Sequence, residues 1–435
     1  MLEQIVRGPL LIPRDDGVVD FFADGVLVGG EGGTILYAGS WSGLKCQLGD
    51  DVPPVRKSDG VMLPPLLDIH THVPQHPIRG HFSDGVGDDE PGGKLLNSLK
   101  RNVFPAEARC DDAECARSVA REFLRDTLSH GVVGGAAYMT PSAAGTEATL
   151  EVLPDLWQVG LVMMNQNCPP DLRTNEQTFE GDVERLAKRF AWRLVVTDRF
   201  AVAVNSPLRR RGAALAQRFS LRTQTHLNEQ LGEKRFVERE LYPGADSYTD
   251  VYQRDGLFDP VKPCIVAHCI HMRAAEWAVL RDSGSVIAHC PTSNLLLGSG
   301  LMDLNEVVER RIPYALATDV GASPTVSMLA EMGRFLEVHD GRSSLARPSE
   351  ALFRATRAPA EILGLDSVLG RLEAGRPASF IEVRPAGDVT ALADVRLADD
   401  VIERLIPTDL DSSAPSVSRV TLGGRVVFEG RPVHA

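Results

Sequence analysis

Short apolar runs alternate with amphipathic helical segments through the middle of the chain, from about residue 61 to residue 369. The runs have the length of buried strands, and the segments between them have apolar residues at helical spacing. Repeated strand–helix units over roughly 300 residues favour a parallel sheet covered by helices, and a barrel fits that size. We therefore predict an α/β fold whose residues 61–369 form a distorted (β/α)8 TIM barrel.

The two ends of the chain have a different pattern from its middle. Residues 1–60 and 370–435 contain short alternating apolar runs broken by glycine, which is typical of hairpin-rich β-structure. Each end alone has too few strands for a stable sheet. Together the two ends are predicted to build one small composite β-sandwich, with the chain termini meeting in space.

Composition and charge exclude several kinds of partner. The chain has 435 residues and 43% hydrophobic content, which is enough for a substantial core. Its net charge of -13 argues against nucleic-acid binding. The one basic cluster, Arg209–Arg211 after Pro207, is short and is interpreted as a solvated turn. No apolar run approaches the roughly 20 residues of a membrane helix, so no membrane partner is expected.

Cysteine usage and the N-terminal segment favour a cytoplasmic location. The seven cysteines have no disulfide-like spacing, which is typical of free thiols in a reducing compartment. The N-terminal segment has no basic region followed by a long apolar stretch, so no signal peptide is expected.

Residues with metal-binding side chains stand at the ends of the predicted strands. His70 and His72 end the first strand, and one such residue ends each of four later strands: His226, His268, His289 and Asp319. In a parallel barrel, the carboxyl ends of the strands form one rim, and active sites lie there. Six such residues on one rim favour a shared site over separate structural roles.

The spacing of His70 and His72 is suited to a metal ion. Side chains alternate along a strand, so His-x-His places two imidazoles on the same face. Zinc accepts imidazole nitrogen and carboxylate oxygen, and a catalytic zinc lowers the pKa of its water. We predict one metal ion per chain on His70, His72, His226 and Asp319, with zinc favoured over iron or manganese.

Two further residues are candidates for catalysis beside the metal. Glu229 lies three residues after His226, and a carboxylate there can shuttle a proton between water and a leaving group. His268 can orient the attacking water or stabilise a developing oxyanion. Asp319 is also assigned a catalytic role, because it can accept the proton of the water. For His289 we favour a structural role in the loop after its strand.

Motifs along nearly the whole chain resemble the amidohydrolase superfamily, and specifically its guanine deaminase-like aminohydrolases. They occur in the order expected for that family: "LPPLLDIHTHVPQ", "NVFPAEAR", "DRFAVAV", "THLNEQ", "VAHCIHM", "IAHCPTSNLLLGSG" and "LATDVGASPTVSML". The resemblance implies a barrel with one zinc ion and a composite β-sandwich, usually as a homodimer. It assigns zinc to the same four residues, the proton shuttle to Glu229 and a catalytic role to His268.

The resemblance also implies a substrate and the residues that contact it. It assigns substrate contacts to Gln75, Arg199 and Phe200. An amide and a guanidinium can read the amide-like edge of a lactam ring, and a phenyl ring can stack on its face. The implied reaction is hydrolytic deamination of a purine-like heterocycle, with guanine and water giving xanthine and ammonia as the best single choice.

Other readings stay open on the sequence alone. The same site chemistry serves deamination of 8-oxoguanine or a pterin, and also a triazine-type chlorohydrolase or amidohydrolase. A non-catalytic scaffold is expected to lose ligands, and this chain keeps them. Two departures from the family pattern bear on the pocket. "LLNSLKRN" lacks the tryptophan that family members commonly carry, and the acidic, glycine-rich insertion 76–94 is predicted to act as a lid.

Overall fold

The structure is a computed structural model of the chain. It describes residues 2–49, 53–87, 93–258, 262–385, 392, 395–410 and 416–430. Its strands, in chain order, are β1 (Leu2–Pro13), β2 (Val19–Gly30), β3 (Thr34–Ser40), β4 (Val55–Lys57), β5 (Val61–Leu63), β6 (Leu66–His72), β7 (Val132–Tyr138), β8 (Trp157–Met163), β9 (Leu194–Asp198), β10 (Arg222–Leu227), β11 (Ile265–His268), β12 (Val286–His289), β13 (Tyr314–Leu316), β14 (Phe380–Val383), β15 (Val417–Leu422) and β16 (Arg425–Glu429).

Helices follow most of the strands of the middle region, and others lie in the two end regions. They are α1 (Trp41–Leu48), α2 (Gly93–Ser98), α3 (Phe104–Ala108), α4 (Ala113–Ser129), α5 (Ala143–Val152), α6 (Phe179–Phe190), α7 (Ser206–Arg218), α8 (Leu231–Phe236), α9 (Tyr248–Arg254), α10 (Ala274–Asp282), α11 (Pro291–Leu296), α12 (Leu304–Glu309), α13 (Met328–His339), α14 (Pro348–Ala355), α15 (Arg357–Leu363) and α16 (Ala398–Glu403). Among the described residues, no helix has the length and apolar character needed to cross a membrane.

The strands β6 to β13 form one eight-stranded sheet in which each strand neighbours the next along the chain. Backbone hydrogen bonds bring the segment after β13 against β6. The Asp319 N–H donates to the carbonyl oxygen of His70 at 2.9 Å, and the His72 N–H donates to that of Val320 at 2.7 Å. The sheet is therefore nearly closed on itself, which confirms the predicted barrel.

The barrel strand β7 has a weak sequence pattern. Its run "VVGGAAY" has two glycines, which weaken a strand signal. A Cβ on Gly134 would lie 2.4 Å from the Leu156 carbonyl oxygen, and one on Gly135 would lie 1.8 Å from that of Asp68. Glycine is therefore required here because neighbouring backbones approach too closely for any side chain.

The second sheet is mixed and draws its strands from both ends of the chain. Its order is β16-β15-β14-β5-β1-β2-β3, with β4 paired to β1. Val6, Leu10, Leu27, Met62 and Phe380 pack together in its core, so residues more than 300 positions apart share one apolar cluster. This arrangement confirms the predicted joint β-structure of the two ends.

The chain divides into two compact units. One unit comprises residues 1–67, 125–133 and 326–435, and the other comprises residues 68–124 and 134–325. The predicted boundaries near residues 60 and 370 stay a prediction. All residues that we assigned to the candidate site belong to the second unit.

The interpretation of the basic cluster as a solvated turn is wrong in two respects: the cluster lies in helix α7, and Arg209 is buried, whereas Arg210 and Arg211 are exposed as expected. Arg209 lies in the first half of α7 and its side chain is fully buried. Its Nε donates to Asp198 at 2.7 Å, and its NH1 donates to Asp255 at 2.8 Å. Buried charges persist when they are paired and hydrogen-bonded, and these two carboxylates supply that pairing.

Candidate active site

The four predicted metal ligands lie together at the carboxyl ends of the barrel strands. His70 and His72 are on β6, His226 is near the end of β10, and Asp319 follows β13. The ligand atoms of the four residues all lie within 4.8 Å of one another. Asp319 Oδ1 is 3.2 Å from Nε2 of both His70 and His72.

The chemistry of these four side chains fits a divalent cation. Burial lowers the pKa of His70 and His226 and lowers that of His72 to about 3, so the imidazoles are neutral. Nδ1 of His226 donates to the Arg199 carbonyl oxygen at 2.6 Å, which leaves the Nε2 lone pair free. That Nε2 lies 3.4 Å from Nε2 of His72, beside the Asp319 carboxylate. Three neutral imidazoles and one carboxylate match the ligand preference of zinc and similar ions.

Glu229 and His268 lie beside this cluster. The Glu229 side chain is buried, and its Oε1 accepts a hydrogen bond from Ser299 Oγ at 3.1 Å. Its Oε2 is 3.7 Å from Nε2 of His268, which in turn is 3.9 Å from Asp319 Oδ2. Burial and the charge of Asp319 raise the pKa of Glu229 to about 8, so this carboxyl holds a proton near neutral pH.

Hydrogen bonds and backbone conformation orient His268 and Asp319. Asn294 Oδ1 lies 2.9 Å from Nδ1 of His268, which directs Nε2 toward Glu229. Ser293 Oγ donates to Asp319 Oδ2 at 2.6 Å. His268 has φ 71 and Asp319 has φ 55, in the left-handed region that is uncommon for residues other than glycine. Such strain at two strand ends is typical of functional sites.

The three predicted substrate contacts line a pocket that opens at the cluster. Gln75, Arg199 and Phe200 contribute to its wall together with Glu229 and His268. Its remaining lining residues include apolar side chains: Phe82, Leu95, Leu99 and Leu297. The pocket therefore combines an apolar wall with polar groups from several strand ends, as small-molecule sites do.

Sequence reasoning missed a carboxylate behind this pocket. Glu107, on α3, is buried and accepts hydrogen bonds from Gln75 Nε2 at 2.8 Å and from Arg199 NH1 at 2.5 Å. Glu107 lies within "NVFPAEAR", and the family resemblance of that segment is the sequence signal that points to it. Ser293, Asn294 and Ser299 were missed in the same way, since all three lie within "HCPTSNLLLGSG".

The structure also places His289 and most of the insertion 76–94. His289 is buried at the end of β12 and is not one of the four clustered ligands. In the insertion 76–94, Phe82 lines the pocket, whereas residues 88–92 lie outside the described residues. The lid role of the insertion therefore stays a prediction.

Comparisons with known proteins agree with this fold. A model of the amidohydrolase family matches residues 61–427. Guanine deaminase of Escherichia coli K12 is 31% identical over 424 residues, covering 94% of this chain and 92% of that protein. Human guanine deaminase is 29% identical over 340 residues, covering 74% of this chain and 72% of that protein.

A solved structure of E. coli guanine deaminase superposes with a TM-score of 0.84 at 28% identity. The match covers 98% of this chain and 99% of that one, so it includes both the barrel and the mixed sheet. The resemblance inferred from the motifs is thus confirmed. The chain belongs to the amidohydrolase family.

Proposed function

We propose that this chain is an aminohydrolase that converts guanine and water to xanthine and ammonia. The observation that carries the proposal is the joint presence of a cation-fitting cluster, a protonated Glu229 and a pocket wall of Gln75 and Arg199. The 31% identity to the E. coli guanine deaminase over 94% of the chain supports the same substrate.

His70, His72, His226 and Asp319 would hold the metal ion, and zinc is the ion we propose for them. A bound zinc supplies a water whose pKa is lowered enough for nucleophilic attack at neutral pH. The buried, neutral imidazoles have the protonation state that metal ligation requires.

Glu229 and Asp319 handle protons in the proposed reaction. Asp319 accepts a proton from the attacking water as the new C–O bond forms. Glu229 gives its proton to a ring nitrogen. Its carboxylate then takes the proton of the added hydroxyl as the new carbonyl forms and passes it to the amine, which leaves as ammonia when the C–N bond breaks. The proton held by Asp319 restores Glu229. His268, held by Asn294, faces the reacting carbon and stabilises the oxygen that develops negative charge.

The pocket wall orients the ring. Arg199 and Gln75 present N–H donors to a ring carbonyl, and Gln75 also presents a carbonyl acceptor to a ring N–H. Phe200 is almost fully buried and offers a face for stacking. These groups favour an oxygen-bearing purine over adenine, whose corresponding edge carries an amino group.

The remaining parts of the proposal concern the setting of the enzyme. We propose a homodimer in the cytoplasm that acts on a small heterocycle in purine metabolism. All seven cysteines are free, as a reducing compartment would allow.

The first test is ammonia release by the zinc-loaded protein, measured beside its metal content. The substrates would be guanine, 8-oxoguanine, isoxanthopterin, adenine, cytosine and a chlorinated triazine. We expect turnover of guanine above all the others. Preference for 8-oxoguanine or isoxanthopterin would replace the substrate but keep the aminohydrolase. Full zinc occupancy without ammonia release from any purine or pterin would overturn the proposal.

A further inference from the structure

Glu107 stands behind the pocket wall and contacts both residues that we expect to read the substrate. Its Oε1 accepts from Gln75 Nε2 at 2.8 Å and from Arg199 NH1 at 2.5 Å. Among the described residues that line the pocket are Gln75 and Arg199, but not Glu107. Glu107 therefore acts on a bound ring only through these two neighbours.

The first effect of Glu107 is on Arg199. Both side chains are buried, with 4% and 1% exposure for arginine and glutamate. A buried guanidinium without a counter-charge is strongly destabilised, and it turns toward water or draws an anion into the site. The ion pair removes both alternatives, so Arg199 presents its remaining N–H groups at one place on the pocket wall.

The second effect is on the amide of Gln75. An ionised carboxylate only accepts hydrogen bonds, so it selects the NH2 group of Gln75 and rejects the carbonyl group. On the other side, the Gly321 N–H donates to Gln75 Oε1 at 3.2 Å. A Cβ on Gly321 would lie 2.8 Å from the Gln75 carbonyl oxygen, so the two backbones are in close contact. The amide is thus held in one of its two orientations.

We propose that Glu107 is a specificity-determining positioning residue, and this inference rests on the proposed function. Glu107 holds Arg199 and Gln75 in fixed orientations. Their N–H donors and the Gln75 carbonyl acceptor then match a ring that has a carbonyl group beside an N–H group. Without the carboxylate, the amide is free to flip and the arginine to move, so the preference for oxopurines declines. The described hydrogen bonds of Glu107 go to Gln75 and Arg199 and not to the candidate metal ligands or Glu229, so we expect the chemical step to be affected less.

The test compares Glu107→Gln and Glu107→Asp with wild type. We expect the KM for guanine and the inhibition constant of xanthine to rise about 10- to 100-fold in Glu107→Gln, because charge-assisted contacts are lost. We expect kcat to change by less than about 5-fold. Glu107→Asp keeps the negative charge on a shorter side chain, so its KM should lie between those of wild type and Glu107→Gln. Metal content should be the same in all three proteins.

Glu382→Gln is the matched control. Glu382 is also fully buried and paired with an arginine, Arg56, but it lies in the other compact unit. A general loss of stability from removing a buried carboxylate would appear in both variants, whereas the rise in KM should appear only at Glu107. Equal KM values for wild type and Glu107→Gln would overturn the inference.

A crystal structure of Glu107→Gln separates this inference from the proposed function. It requires no substrate, so it stays informative if the wild type releases no ammonia from guanine. We expect the Arg199 guanidinium to leave its wild-type position or the Gln75 amide to invert. An unchanged arrangement of both side chains would refute the positioning role, whatever the enzyme acts on.

Discussion

His226 and Arg199 are joined by a hydrogen bond from imidazole Nδ1 to the backbone carbonyl oxygen, at 2.6 Å. The same arginine contacts Glu107 with its side chain. Arg199 therefore orients a candidate metal ligand with its backbone, and its own guanidinium is a candidate substrate contact. The candidate metal cluster and the pocket wall are thus connected through this residue.

Glu229→Gln should abolish most of the ammonia release. The amide keeps the size of the side chain but has no acidic proton to give, and general acid–base groups contribute roughly 10²- to 10⁴-fold to rate. We expect kcat to fall by at least about 100-fold while metal content stays at the wild-type level. Wild-type turnover in this variant would rule out Glu229 as the proton shuttle.

Asp319→Asn should lose most of the bound metal. The carboxylate is the only anionic member of the cluster, and its amide replacement leaves three neutral imidazoles. Metal analysis after dialysis should show metal occupancy well below that of wild type.

In wild type, a chelator should lower the midpoint of thermal unfolding, since an ion bound only to the folded state stabilises it. A midpoint of thermal unfolding that changes with neither a chelator nor added zinc would contradict a metal site at these residues.

Asn294→Ala should impair catalysis without removing the metal. Asn294 holds Nδ1 of His268 at 2.9 Å, so its loss allows the imidazole to rotate away from Glu229. Misplacement of a catalytic group by about 1 Å is expected to lower kcat by about 10-fold or more. Asn175→Ala, in an exposed turn, is the control and should leave kcat unchanged. Equal kcat in both variants would mean that His268 needs no such support.

Arg209→Met should strongly destabilise the protein. The substitution leaves Asp198 and Asp255 buried without their shared cation, which is expected to cost about 3–5 kcal/mol in unfolding free energy. Arg210→Met is the matched control, because Arg210 also pairs with Asp255 but is 63% exposed. Denaturant unfolding should show a large loss of stability for Arg209→Met and only a small loss for Arg210→Met. Similar losses in both variants would contradict the assigned difference in burial.

Glu382 should make stability depend on pH in the acid range. Burial opposes its ionisation, but the hydrogen bonds and charge of Arg56, with Ser58 and the Asp59 N–H, hold its pKa below the ordinary 4.5. A carboxyl with a lowered pKa stabilises the folded state above its ordinary pKa, and this stabilisation is lost as pH falls through the lowered value.

The comparison with Glu382→Gln measures this contribution. The difference in unfolding free energy between wild type and variant should be largest above about pH 5 and shrink steadily below pH 4.5. A difference that stays constant from pH 7 to the acid range would show that the ionised carboxylate contributes nothing. A difference that grows on acidification would reverse the sign of the proposed effect.

The sequence by itself determined the barrel, the joint β-structure of the two ends and the grouping of His70, His72, His226 and Asp319. These features follow from local periodicity and from one rule of topology: the carboxyl ends of parallel strands meet at one rim. Strand β7 has a weak sequence signal because it contains two glycines. These glycines are required by close contacts between neighbouring backbones, which no local pattern reveals.

The tertiary structure alone decided the partners of the buried charges. Glu107 and Arg199 are 92 residues apart, and Arg209 meets Asp255 across 46 residues. Whether a charged residue is solvated or buried depends on which opposite charges the fold brings to it, since burial is tolerable only with a partner. This pairing exists only in the folded chain. The sequence pattern therefore gave no role to Glu107 and wrongly predicted that Arg209 is solvent-exposed.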